Sequence, residues 1–77
     1  MQDQLSTEIK QFLLNIVYLR KCHNLSKKEM AQILGIGMGS YNKIEQGIFP
    51  KRLTTDAIFN ITKYFKIPPA CLFRKLP

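Results

Sequence analysis

The sequence predicts an all-α domain of five helices. Apolar residues recur three or four positions apart along most of the chain, which is the spacing of one face of an α-helix. Residues that favour helix starts precede these segments, and Gly, Asn or Pro follow them. No segment shows the alternation of apolar and polar residues that is typical of a half-buried β-strand.

Composition and charge limit the possible functions. The 77 residues are expected to form one domain, 1–77, with no room for a separate ligand-binding domain, and we expect no small-molecule ligand. Twelve Lys and Arg against five Asp and Glu give a net charge of +7, which favours a polyanionic partner, although a merely solvated surface is the alternative. We expect no membrane-spanning segment or signal peptide. Cys22 and Cys71 lack metal-ligand spacing, so we expect free thiols and no metal or cofactor, with a disulfide between them left open.

The first helix is predicted from about Ser6 to His23, after frayed residues 1–4. Its apolar stripe contains Leu5, Ile9, Phe12, Leu13, Ile16 and Leu19. A basic amphipathic helix can instead lie on a membrane, but Glu8 among the cations favours a core helix. Asn24 is predicted to end the helix in a left-handed conformation.

Residues 27–46 predict two short helices joined by a tight turn at Gly35. Ser26 and Glu29 have the spacing of a capping box at the start of the first of these helices. Gly35 can end it because glycine accepts a left-handed backbone without a Cβ penalty. The second helix is predicted from about Met38 to Gln46. The inward-facing residues of the pair are Met30, Ala31, Leu34, Tyr41 and Ile44. This is the helix-turn-helix pattern.

The rest of the chain predicts a turn-rich connection and two more helices. Thr54 or Thr55 is expected to cap a fourth helix that ends near Phe65. Pro68 and Pro69 then prevent continuation and favour the start of a short last helix, from Ala70 to Phe73.

From Ile16 to Phe73 the chain resembles the single-domain repressors of the lambda-repressor/Cro type, also called the xenobiotic-response-element (XRE) family. The resemblance is carried by Ile16, Leu19, Arg20, Leu25, Ser26, Glu29, Met30, Ala31, Leu34, Gly35, Ile36, Ile44, Glu45, Gly47, Phe65, Ile67, Leu72 and Phe73. It implies a five-helix lambda-repressor-like domain in which the second motif helix, about 38–46, enters the major groove of DNA. It also implies an ion pair between Arg20 and Glu45 that ties the first helix to the recognition helix. Residues 5–15 form an N-terminal extension of the first helix.

The sequence departs from the family pattern in three respects. Lys27 stands where the family usually has Gln, and the recognition helix begins Gly37-Met38-Gly39-Ser40 where the family usually has Ser or Thr followed by Arg or Gln. Two glycines and a methionine offer few hydrogen-bonding groups to base edges. Tyr41 replaces a smaller aliphatic core residue, which predicts either a more open helix crossing or a hydroxyl that reaches the surface.

Two sets of side chains are the candidate DNA contacts. The base-contacting candidates are Met38, Ser40, Asn42 and Lys43, of which Asn can pair with adenine and Lys can donate to guanine. The phosphate-contacting candidates are Lys27, Lys28, Lys51 and Arg52. The first two lie at a helix N-terminus that already favours phosphate. The alternative is that these side chains are ordinary solvated groups.

The sequence therefore favours a repressor-like, sequence-specific transcriptional regulator that binds double-stranded DNA as a homodimer. The resemblance implies a bacterial or phage-encoded protein of the cytoplasm. The alternative is a protein-interaction module such as an antitoxin, antirepressor or adaptor. We expect no enzyme, because His23 has no catalytic partner and the Gly35–Gly39 segment follows a helix instead of the strand that a phosphate-binding loop requires.

Overall fold

The computed structural model describes residues 6–76, and within this range the chain is all α, without β-strands. The four α-helices are α1 (Thr7–Cys22), α2 (Lys27–Leu34), α3 (Met38–Glu45) and α4 (Thr55–Phe65). The predicted fifth α-helix is wrong, because Pro69–Phe73 is a 3₁₀ helix. Two consecutive prolines remove two backbone donors at the start of this segment, and its five residues suit the short 3₁₀ geometry. Leu5 and the predicted frayed residues 1–4 lie outside the described range.

The ends of α1 and α2 follow the predicted cap chemistry, whereas the predicted cap of α4 makes no side-chain hydrogen bond. Ser26 Oγ accepts from the Glu29 amide at 3.0 Å, and Glu29 Oε1 accepts from the Ser26 amide at 2.7 Å, which completes the capping box. Gly35 ends α2 with a φ of 77°, and Asn24 has a φ of 54° after α1. Thr54 precedes α4 without a side-chain capping bond. Local sequence chemistry thus sets the two turns that orient α2 and α3.

One hydrophobic core joins all the elements. Its buried members are Phe12, Leu13, Ile16, Leu19, Met30, Ala31, Leu34, Tyr41, Ile44, Leu53, Ala57, Ile61 and Leu72. The helix α2 packs against α3 and α4, while α1 packs against α3 and the 3₁₀ helix. This arrangement fixes α3 between α1 and α2. None of the helices within residues 6–76 has both the length and the apolarity needed to cross a membrane.

The C-terminal segment covers the N-terminal extension of α1. The rings of Phe12 and Phe73 stack with centroids 5.1 Å apart. Asn15 is buried, and its Nδ2 donates to the carbonyl oxygens of Leu72 at 2.6 Å and Arg74 at 2.7 Å. Its Oδ1 accepts from Gln11 Nε2 at 3.0 Å. Asn15 therefore holds the segment from Leu72 to Arg74 against α1.

Candidate nucleic-acid interface

The outward face of α3 carries the base-contacting candidates. Tyr41 and Ile44 are buried on the inner face, so the opposite face is available to a partner. That face presents Asn42 and Lys43, both exposed. Met38 is 39% exposed at the start of the helix. Ser40 is only half-buried. All four side chains therefore lie on α3 with at least part of their surface open.

A groove of about 660 Å³ runs between the first turn of α3 and the segment that precedes α4. It is lined on one side by residues of the helix-turn-helix turn and on the other by Lys51, Arg52 and Thr54. Ser40 also lines it. The fold thus places one base-contacting candidate beside two phosphate-contacting candidates.

One of the remaining two phosphate-contacting candidates, Lys27, lies near the other end of α3. Lys27 and Lys28 are exposed in the first turn of α2. The positive charge of Lys27 interacts with Glu45, in the last turn of α3, and helps to lower the pKa of that carboxyl. Positive charge therefore stands at both ends of the recognition helix.

Arg20 and Glu45 connect α1 to α3. Arg20 Nε donates to Glu45 Oε2 at 3.1 Å, and the two side chains are only 14% and 19% exposed. The Arg20 guanidinium also donates to the Leu25 carbonyl at 3.0 Å. This pair joins the end of the recognition helix to α1 and to the chain that leads into α2.

Tyr41 adds a second donor to the same carboxylate oxygen. Its ring is fully buried, and its hydroxyl donates to Glu45 Oε2 at 2.6 Å. The expectation of a hydroxyl that reaches the surface is therefore wrong, because an acceptor one turn along α3 satisfies the hydroxyl inside the protein. Burial, then the hydrogen bond and charge of Glu45, raise the pKa of Tyr41, so the phenol stays protonated.

Opposing effects act on the Glu45 carboxyl. Desolvation works to raise its pKa, but the hydrogen bonds from Tyr41 and Arg20 and the charges of Arg20 and Lys27 outweigh it. The net result is a pKa below the ordinary value of 4.5. Glu45 is therefore ionised at neutral pH and acts as a structural anchor of α3.

The other titratable side chains of interest do not form a site. His23 packs its ring against Phe65, with centroids 4.8 Å apart. Cys22 and Cys71 are free thiols. Across residues 6–76, no group of three His, Cys, Asp or Glu side chains is arranged to hold a metal ion.

Two features of this surface were not anticipated from the sequence. The groove beside Lys51 and Arg52 depends on the packing of α3 against the segment that leads to α4, which no local pattern encodes. The pairing of Tyr41 with Glu45 had a signal, since residues four apart are neighbours on a helix. At that spacing the Glu45 carboxylate can accept a hydrogen bond from the Tyr41 hydroxyl, which allows Tyr41 to be buried.

Comparison with protein families supports the resemblance. A family model described as helix-turn-helix, of the XRE/Cro/C1 type, matches residues 16–70. These residues contain the Arg20–Glu45 pair, both motif helices, the groove and all of α4. No curated protein and no solved structure matches the chain at a significant level.

Proposed function

Because the chain belongs to the helix-turn-helix family of the XRE/Cro/C1 type, whose domains bind DNA, we propose that it is a sequence-specific transcriptional regulator. In this proposal it is repressor-like, acts in the cytoplasm and binds double-stranded DNA as a homodimer, with α3 in the major groove. Members of the family are typically not enzymes. The observation that carries the proposal is the placement of cations at both ends of α3, Lys27 at one end and Lys51 with Arg52 at the other.

The dimensions of α3 agree with this role. An eight-residue helix is about 12 Å long, and the major groove of B-DNA is about 12 Å wide. Cations beyond both ends of such a helix can reach the phosphates on either wall of the groove. The net charge of +7 supplies the long-range attraction.

We propose a homodimer because α3 carries few side chains that could read bases. Asn42 and Lys43 are the exposed hydrogen-bonding side chains in the middle of α3. Each good base contact discriminates by about 1–3 kcal/mol, so one copy of α3 gives modest specificity. A second copy on a second half-site adds an equal discrimination.

The groove cations provide the first test. We expect replacement of both Lys51 and Arg52 by Ala to weaken binding to any duplex, because phosphate contacts carry no sequence information. The slope of log K against log salt should fall by roughly 2, about one for each phosphate that the variant no longer neutralises. Fluorescence anisotropy titrations at several salt concentrations measure this slope.

The chain offers a matched control for this variant. Arg74 and Lys75 are adjacent, exposed and distant in sequence from the groove residues, and their replacement by Ala removes the same charge. This control should leave the slope nearly unchanged. Equal slopes for the two double variants would remove Lys51 and Arg52 from the interface.

A protein-interaction module is the second candidate, and one surface favours it. A largely apolar groove of about 430 Å³ lies between α1 and the end of α3, lined in part by Leu14, Val17 and Gly47. Leu14 is 63% exposed there. If the parent protein binds a selected duplex and a scrambled duplex with equal affinity, the specific-regulator proposal fails and this candidate replaces it.

A further inference from the structure

Neither of the two glycines at the start of α3 is needed for a left-handed backbone or for close packing within the domain. Gly37 has an ordinary φ of −79°, and Gly39 lies inside the helix. A Cβ atom added at either position would meet no atom within 4 Å. In contrast, Gly35 and Gly47 have φ angles of 77° and 81°, which disfavour any other residue. Because glycine inside a helix is less favourable than alanine, Gly39 weakens the free domain without any packing reason.

Both glycines lie where a partner would approach. Gly39 precedes Asn42 by three residues and Lys43 by four, so it lies on the same outward face as these two side chains. Gly37 and Gly39 also line the groove that contains Lys51 and Arg52. The lining of this groove therefore combines positions without a side chain with two cations.

We propose that Gly37 and Gly39 are glycine because a sugar–phosphate strand of DNA enters this groove and approaches the backbone of α3 more closely than a Cβ would permit. The inference rests on the proposed function, since it assumes that DNA is the partner. It assigns to the glycines the role of determining how deeply α3 docks. A bare backbone next to two cations suits a phosphate strand, which needs close approach and positive charge but no particular side-chain pattern.

The variant Gly39→Ala distinguishes an effect on folding stability from an effect on DNA binding. We expect its melting temperature to rise by about 4–8 °C, because alanine is a better helix former and its methyl group has free space. We expect its affinity for a random-sequence duplex at low salt to fall by about tenfold, because the methyl group occupies the space of the strand. Thermal unfolding and anisotropy titration measure the two effects on the same preparation.

The control is Asn60→Ala, an exposed position inside α4 that does not line the groove. It also replaces a poor helix former by alanine, so the melting temperature should rise while the affinity for DNA stays unchanged. Gly37→Ala serves as a second variant in the groove and should lose affinity as Gly39→Ala does.

The outcomes distinguish this inference from the proposed function. Stabilisation of Gly39→Ala with unchanged or tighter DNA binding would overturn the role of the glycines and leave DNA binding by the parent intact. Destabilisation by Gly39→Ala would also overturn it, since the residue would then serve the fold. If the parent binds no duplex at low salt, the proposed function fails and the inference fails with it.

Discussion

The Glu45 carboxylate shows how a single oxygen atom can hold the recognition helix in place. Glu45 Oε2 accepts from Arg20 of α1 and from Tyr41 of α3, and both contacts lie in a largely enclosed region. Hydrogen bonds to a charged group contribute about 1.5–3 kcal/mol, against about 0.5–1.5 kcal/mol for neutral partners. The charge of Glu45 is thus part of what fixes α3 against α1.

This interaction leads to a prediction about pH. We expect Glu45→Gln to lower the free energy of unfolding by about 1 kcal/mol at pH 7, since the amide keeps an acceptor oxygen but loses the charge. The pKa of Glu45 is below 4.5 in the folded protein, so its contribution is complete above pH 4.5 and is lost as the pH falls through the lowered value. The difference in stability between parent and variant should therefore shrink as the pH falls below 4.5 in urea titrations.

The control for this experiment is Glu8→Gln, which removes one carboxylate from the exposed first turn of α1. It should change stability by no more than a few tenths of a kcal/mol at pH 7. The difference in the free energy of unfolding between the parent and Glu45→Gln could instead be as large at acid pH as at neutral pH. That result would show that the charge of Glu45 does not stabilise the fold.

At the scale of the elements, the predictable parts are those with local chemistry. The ends of α2 were predicted because the Ser26–Glu29 box and Gly35 each act within one turn. The 3₁₀ geometry of Pro69–Phe73 was not predicted, since periodicity cannot distinguish it from an α-helix over so few residues. The role of Asn15 was also missed, because its carbonyl partners are 57 and 59 residues away in sequence. Its one signal was a polar residue on the apolar face of α1.

Asn15 gives a prediction for the junction of α1 and the chain end. We expect Asn15→Ala to lower the free energy of unfolding by about 1–3 kcal/mol, because the carbonyls of Leu72 and Arg74 lose a buried donor. Amide hydrogen exchange around the 3₁₀ helix should accelerate more than exchange in α2. Gln11→Ala is the control, since it removes only the donor to Asn15 Oδ1 and should have a smaller effect. Unchanged exchange at the chain end would show that Asn15 does not hold it.

At the scale of the whole molecule, the site combines a confirmed family fold with positions that depart from the family. The family match covers the elements that orient α3 and indicates a DNA-binding domain, while contact between α3 and DNA is part of the proposed function. The residues that α3 offers to DNA remain predictions, because Met38, Ser40, Asn42 and Lys43 are open to solvent to different degrees and their exposure alone does not reveal what they bind. A fold common to many regulators positions the helix, while individual side chains determine what it reads.

The proposed homodimer makes a geometric prediction that does not depend on which bases are read. Two recognition helices related by a two-fold axis contact half-sites one helical turn apart, about 34 Å or 10–10.5 base pairs. A duplex with two selected half-sites at this spacing should therefore bind much more tightly than a duplex with one. About five additional base pairs between the half-sites rotate the second one to the opposite side of the DNA, so the gain in affinity should disappear. About ten additional base pairs return the second half-site to the same side as the first, so the gain should reappear. Anisotropy titrations of these duplexes, with sedimentation to count the bound chains, measure the effect. An affinity that depends only on the number of half-sites, and not on their spacing, would mean that the chains bind DNA independently.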